Sequence, residues 1–134
     1  MNSRLLLAIY ILTLTSGCRN QKHSSEVFFP NKEVKLGEIE YKCEIVQKFV
    51  FFNKTNYPLF IEAIISTCEC TKPMWSRDTI MPGLSGEIFV EVTTNRIGSF
   101  RQPIVVYFNG HNPPDTLSIE GYVSTKNIET EFTK

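Results

Sequence analysis

The sequence predicts an all-β fold, an antiparallel β-sandwich of about seven to eight strands. Apolar side chains recur at every second position in several short segments, and clusters of turn-forming residues separate those segments. No window holds a sustained helical period. With no helices to cover a parallel sheet, two antiparallel layers facing each other are what would hide these apolar faces.

The segments follow in order. "EVFFP" and "VKLGEI" read as a first strand broken at Pro30, because proline cannot donate to a ladder and belongs at an edge or bulge. "CEIVQKFVFFN" alternates from Ile45 through Phe49 and Phe51, and "YPLFIEAII" follows after the turn residues Asn53 to Asn56. "GEIFVEVTT" sets Ile88, Val90 and Val92 on one face and Glu87, Phe89 and Glu91 on the other. "RQPIVVYFNG" and "DTLSIEGYV" complete the series, divided by "MPGLSG", "RIGS" and "GHNPPD". Pro82 and Gly83 suit a tight turn, and Asn53 and Asn109, each ending an apolar strand, can bond the backbone of the loop that follows.

The chain opens differently. Residues 1–17 place Arg4 ahead of an apolar run from Leu5 to Leu14 and contain no acid, the pattern of an export signal. The run is about half the length a membrane-spanning helix needs. Ser16 and Gly17 stand directly before Cys18, which resembles the lipobox at which bacterial lipoprotein precursors are lipidated and cut. That resemblance makes Cys18 the lipidated first mature residue, residues 18–25 a flexible tether, 26–124 the folded domain and 125–134 a polar tail. The absence of an acidic cluster after Cys18 leans toward a periplasm-facing position in a Gram-negative envelope. Removing the leader takes away Arg4 alone, so 14 − 1 = 13 basic residues face 14 acidic ones, scattered along the chain. A nucleic-acid partner, which calls for a basic stripe, is not expected.

Six pieces carry a family resemblance: "LGEI", "FVFFN", "PLFIEAIISTCECT", "MPGLSGEIFVEV", "GSFRQPIVVYFN" and "LSIEGYV". In this order and spacing, over about residues 34 to 124, the chain resembles the bacterial domain-of-unknown-function family 1573. Members of that family look like the immunoglobulin-like domains of the major sperm protein and Hydin type. The resemblance implies an immunoglobulin-like sandwich. Where the family typically has Ser-Cys-Gly-Cys-Thr, this chain has Thr67-Cys68-Glu69-Cys70-Thr71, and Glu69 disfavours a positive backbone angle at that point.

Three cysteines remain after Cys18: Cys43, Cys68 and Cys70. An oxidising envelope favours pairing, and three thiols allow at most one bridge within the chain. Two readings stand side by side. Cys68 and Cys70 would lie about 6.7 Å apart in an extended strand, so they close only if the chain bends. A hairpin with Asn53 opposite Pro58 would instead set Cys43 opposite Cys68, unless those two strands belong to opposite sheets, as immunoglobulin-like folds commonly arrange them. All three thiols remaining reduced is a third reading. Cys68, Cys70 and Met74 also offer soft donors of the kind Cu(I) prefers, with Met81 or His111 to complete a site. A single CxC is short of the paired ligand sets of zinc sites, and it does not open a helix as redox CxxC motifs do.

Catalysis finds little footing. His23 lies in the tether, while His111, Asp78 and Asp115 sit among turn residues, and no nucleophile elbow is present. Trp75, the single tryptophan, reads as a packing residue beside the thiol loop, or, where exposed, as an anchor for a partner. Together these readings describe a non-enzymatic cell-envelope lipoprotein that needs no cofactor and whose domain binds or scaffolds an envelope protein. The alternative is a copper-binding or redox-linked thiol protein acting through the CxC motif.

Overall fold

The computed structural model describes residues 26–125. Eight strands form two four-stranded sheets: β1 (Val27–Phe28), β2 (Glu33–Glu40), β3 (Glu44–Asn53), β4 (Ile61–Ser66), β5 (Thr71–Trp75), β6 (Ser85–Thr93), β7 (Gly98–Phe108) and β8 (Asp115–Ser124). One sheet has the order β1-β3-β6-β5 and the other β2-β8-β7-β4. The sandwich and its strand number agree with the alternation in the sequence.

Two details differ from the expectation. The segments around Pro30 are not one broken strand: β1 pairs with β3, and β2 lies in the opposite sheet beside β8. Exposed Pro30 falls on the crossing between sheets, where no ladder bond is asked of it. Secondly, β2 and β8 run parallel, the one such pair among the described strands, and all other pairings are antiparallel. Leu36 and Gly37 bulge out of that pairing opposite Gly121, with Gly37 at φ 70°.

Alternation becomes a core because the inner rows face each other. Phe49, Phe51, Ile88, Val90 and Val92 of one sheet meet Ile104, Val106, Phe108, Leu117 and Ile119 of the other, and all are buried. Each such side chain contributes about 1.5–3 kcal/mol by leaving water. The Phe51 and Phe108 rings meet edge to face at 5.0 Å, and Phe29 from the inter-sheet crossing packs 5.6 Å from Phe51. Gly86 is part of this arrangement. Phe51 lies over it, so that a Cβ at residue 86 would sit 2.3 Å from the ring's Cζ.

Polar knots close both ends. At one end Asn53 is fully buried: its Nδ2 donates to the carbonyls of Tyr57 (3.0 Å) and Ile80 (2.7 Å), and its Oδ1 accepts from the Thr55 amide (3.0 Å) and hydroxyl (2.6 Å). The Gly83 amide adds a bond to the Asn53 carbonyl at 2.7 Å, with Gly83 at φ 84° in the turn before β6. Near this end the buried Asp115 carboxylate holds Lys32 Nζ at 2.7 Å and His111 Nε2 at 3.1 Å. At the other end Thr94 is buried. Its hydroxyl accepts the Cys43 amide (2.8 Å) and donates to the Glu40 carbonyl (2.8 Å), joining the exits of β2 and β6 to the start of β3.

Candidate functional site

After β4 the chain must leave one sheet and start β5 in the other, and it does so over Thr67–Cys70. The bend brings the Cα atoms of Cys68 and Cys70 to 5.1 Å, shorter than the extended spacing, and the two sulfurs are joined in a disulfide. Local bonds shape the bend. The Thr71 amide donates to the Cys68 carbonyl (3.1 Å), the Cys70 amide to Cys68 Sγ (3.2 Å), and the Ser66 hydroxyl to the Thr71 carbonyl (2.8 Å). Glu69 does not take a positive φ, as its side chain leads one to expect.

Cys43 is a free thiol on the far side of β6. Thr94 N–H bonds the Cys43 carbonyl on one flank of that strand, and Thr93 N–H bonds the Cys70 carbonyl on the other. The hairpin that would oppose Cys43 to Cys68 does not form, because β3 pairs with β1 and β6 while β4 pairs with β7 in the other sheet.

The disulfide lines an open cavity of about 570 Å³ at this end of the sandwich, with Thr94, Arg96, Phe100, Arg101 and Gln102 among its walls. Gln102 points inward from β7, and its Nε2 lies 3.7 Å from Cys70 Sγ; Thr71 Oγ1 lies 3.8 Å from the same sulfur. The charged residues of the lining are Arg96 and Arg101, and the Arg101 guanidinium holds Glu33 at 2.9 Å.

The remaining soft donors are elsewhere. Met74 stands on the outer, exposed face of β5, Met81 is exposed in the turn before β6, and His111 is engaged with Asp115. The described residues therefore do not gather Met74, Met81 or His111 around the two sulfurs. Cys18 and His23 lie outside the described residues.

A second concavity lies where β5 ends. β6 continues beyond the last β5 pairing, Trp75 with Ile88, so residues Ser85 to Glu87 have no strand partner on that side. Beside them a groove of about 450 Å³ is lined by Phe51, Ile61, Trp75, Ile80, Ser85 and Glu87. Trp75 packs against the core, and its indole Nε1 is buried without a hydrogen-bond partner among the described residues. A buried donor left unpaired costs about 1–3 kcal/mol. β5 shows no strand pattern in the sequence because Pro73 interrupts it. At this edge Pro73 opposes Val90, a position whose backbone bonds face β3, so its missing N–H is not needed by the ladder.

Two facing four-stranded sheets around a single core define an immunoglobulin-like β-sandwich. Residues 27–123 match the family model described as a protein of unknown function, DUF1573, and the chain belongs to that family. A PapD-like (ASH) domain of human CEP192 superposes with a TM-score of 0.63 at 10% identity, covering 77% of this chain and 88% of that one. A protein of unknown function from Porphyromonas gingivalis W83 gives a TM-score of 0.62 at 13% identity, covering 72% of this chain and 46% of that one. The chain thus spans about half the length of that structure. The VesB protease of Vibrio cholerae gives 0.59 at 15% identity, with 75% of this chain and 33% of the other covered. At such identities the likeness is one of fold. Comparison with curated protein sequences gives no significant match.

Proposed function

We propose that this chain is a non-enzymatic lipoprotein of the Gram-negative envelope, held by lipid on Cys18 and facing the periplasm, whose domain captures an extended segment of another envelope protein. The observation that carries this reading is the groove at the end of β5. There, unpaired strand edge at Ser85–Glu87 adjoins an apolar trough lined by Phe51, Ile61, Trp75 and Ile80. An added strand would supply backbone groups for the edge and an apolar side chain for the trough. The leader and Cys18 support the anchorage, and the charge balance supports a protein rather than a nucleic-acid partner.

The test is crosslinking and pulldown from membranes with the intact chain, beside Trp75→Phe, which reshapes the wall of the trough, and Ser85→Pro, which removes an edge N–H at an exposed position. A reproducible partner lost in either variant supports the reading. Equal recovery with both variants, or no partner at all, overturns it. Palmitate labelling abolished by Cys18→Ser checks the anchor, and a mature N-terminus mapped elsewhere than Cys18 would remove it.

A further inference from the structure

We infer that the cavity at the disulfide end is a thiol–disulfide exchange site, in which Cys68–Cys70 accepts two electrons from a cysteine-bearing polypeptide segment of acidic character. This is independent of partner capture at the β5 groove, which lies on the other side of the Thr71–Trp75 strand's length and uses no sulfur.

Three features of the site converge. The bond is not shut into the core: both cysteines are half-exposed and form part of the wall of a cavity large enough for a cysteine and its flanking residues. The sulfurs are differently surrounded. Cys70 Sγ has the Gln102 amide at 3.7 Å and the Thr71 hydroxyl at 3.8 Å, both able to donate to a thiolate, whereas Cys68 Sγ has the Cys70 amide at 3.2 Å. A scaffold bridge has no use for an inward-pointing glutamine whose amide faces its sulfur, while a leaving thiolate does. The charge in the lining rests on Arg96, since Arg101 is paired with Glu33 at 2.9 Å, and Arg96 favours an anionic incoming segment and a departing thiolate alike even with exposed Glu69 between the two cysteines.

The chemistry balances without another oxidant. A substrate thiolate attacks Cys68 Sγ; the new S–S bond forms as the Cys68–Cys70 bond breaks, and Cys70 departs as a thiolate toward Gln102 and Thr71. A second thiolate of the same segment then attacks the substrate sulfur of the mixed disulfide and releases Cys68 as a thiolate beside the Cys70 amide. The two protons lost by the substrate thiols reprotonate the two protein thiolates. The substrate is oxidised to a disulfide and the protein reduced to the dithiol.

The experiment uses the oxidised full chain in detergent and two peptides, each with two cysteines, one rich in Glu and one rich in Lys. The oxidised linear peptide of residues 66–72 is the comparator. The folded chain should be reduced by the acidic peptide about tenfold faster than by the basic one, a preference in the range that charge steering supplies. The linear comparator, which carries Glu69 and lacks the guanidiniums, should not share it. Arg96→Gln should erase most of the preference and Gln102→Leu should slow both reactions about fivefold or more, with unchanged melting midpoints showing that both variants fold. Acid quench, alkylation and mass mapping should find the peptide on Cys68 and the alkyl group on Cys70. A chain that prefers neither peptide, a disulfide reduced only after unfolding, or a peptide attached at Cys70 would each overturn the assignment. A Cys68→Ser, Cys70→Ser double variant that still recovers the groove partner would show that loss of exchange and loss of capture are separate events.

Discussion

Replacing Asn53 by alanine tests whether one buried amide holds an end of the sandwich together. The side chain makes four bonds, two donated to the Tyr57 and Ile80 carbonyls and two accepted from Thr55. At about 1 kcal/mol net for each, the loss is about 4 kcal/mol. The Thr55 hydroxyl can turn to the Tyr57 carbonyl at 2.9 Å, which returns part of one bond, so about 3 kcal/mol is expected. In a domain of about 100 residues that corresponds to a fall in Tm of about 12–24 °C. Urea and thermal unfolding, followed by far-ultraviolet circular dichroism, measure it directly. Asn53→Asp supplies the internal control: it keeps the acceptor, loses both donors and buries a charge, and should be at least as damaging as alanine. Asn109→Ala, which removes bonds to the Phe60 amide and Pro58 carbonyl in a partly exposed place, should cost only about 1 kcal/mol. A loss below about 1 kcal/mol for Asn53→Ala, or wild-type behaviour of Asn53→Asp, would refute the knot.

The other expectations follow from single contacts. Gly86→Ala should destabilise by about 1–3 kcal/mol, because the new methyl meets the Phe51 ring, and a Gly86→Ala, Phe51→Leu pair should recover part of that loss in denaturant titrations. Thr94→Val removes the hydroxyl that joins the Cys43 amide to the Glu40 carbonyl and should cost about 1–2 kcal/mol, with hydrogen exchange accelerated first at the start of β3. Asp115→Asn removes the charge beside Lys32, whose half-exposed ammonium can turn to water, and an equilibrium melt should show a loss of about 1–2 kcal/mol.

Much of the layered fold was legible because alternation and burial have the same period. Ile88, Val90 and Val92 were readable as one face, and they are the buried row of β6. Pairing partners were less legible, since alternation says which way a side chain points and not which strand lies alongside. The separation of β1 from β2 and the parallel course of β2 beside β8 are of that kind. β5 was hidden by Pro73, whose cost vanishes at an edge position that asks for no donor. At the candidate sites the CxC spacing identified the thiols, and the bend that joins them is the one an extended chain lacks. Gln102 gave no signal, because a polar residue in an apolar strand reads as a break in the pattern until its neighbour is seen to be sulfur. Trp75 stands out in the sequence as the sole tryptophan, but its orphaned N–H is a property of what surrounds it.

The course of the first described residues has a geometric consequence. Val27 pairs with Asn53, so the polypeptide joins the domain at the asparagine end, while Cys43 and Cys70 flank the exit of β6 at the opposite end. The ten residues of β3 separate those poles by about 30 Å. The disulfide and the point where the chain enters the domain therefore lie at opposite ends of the sandwich.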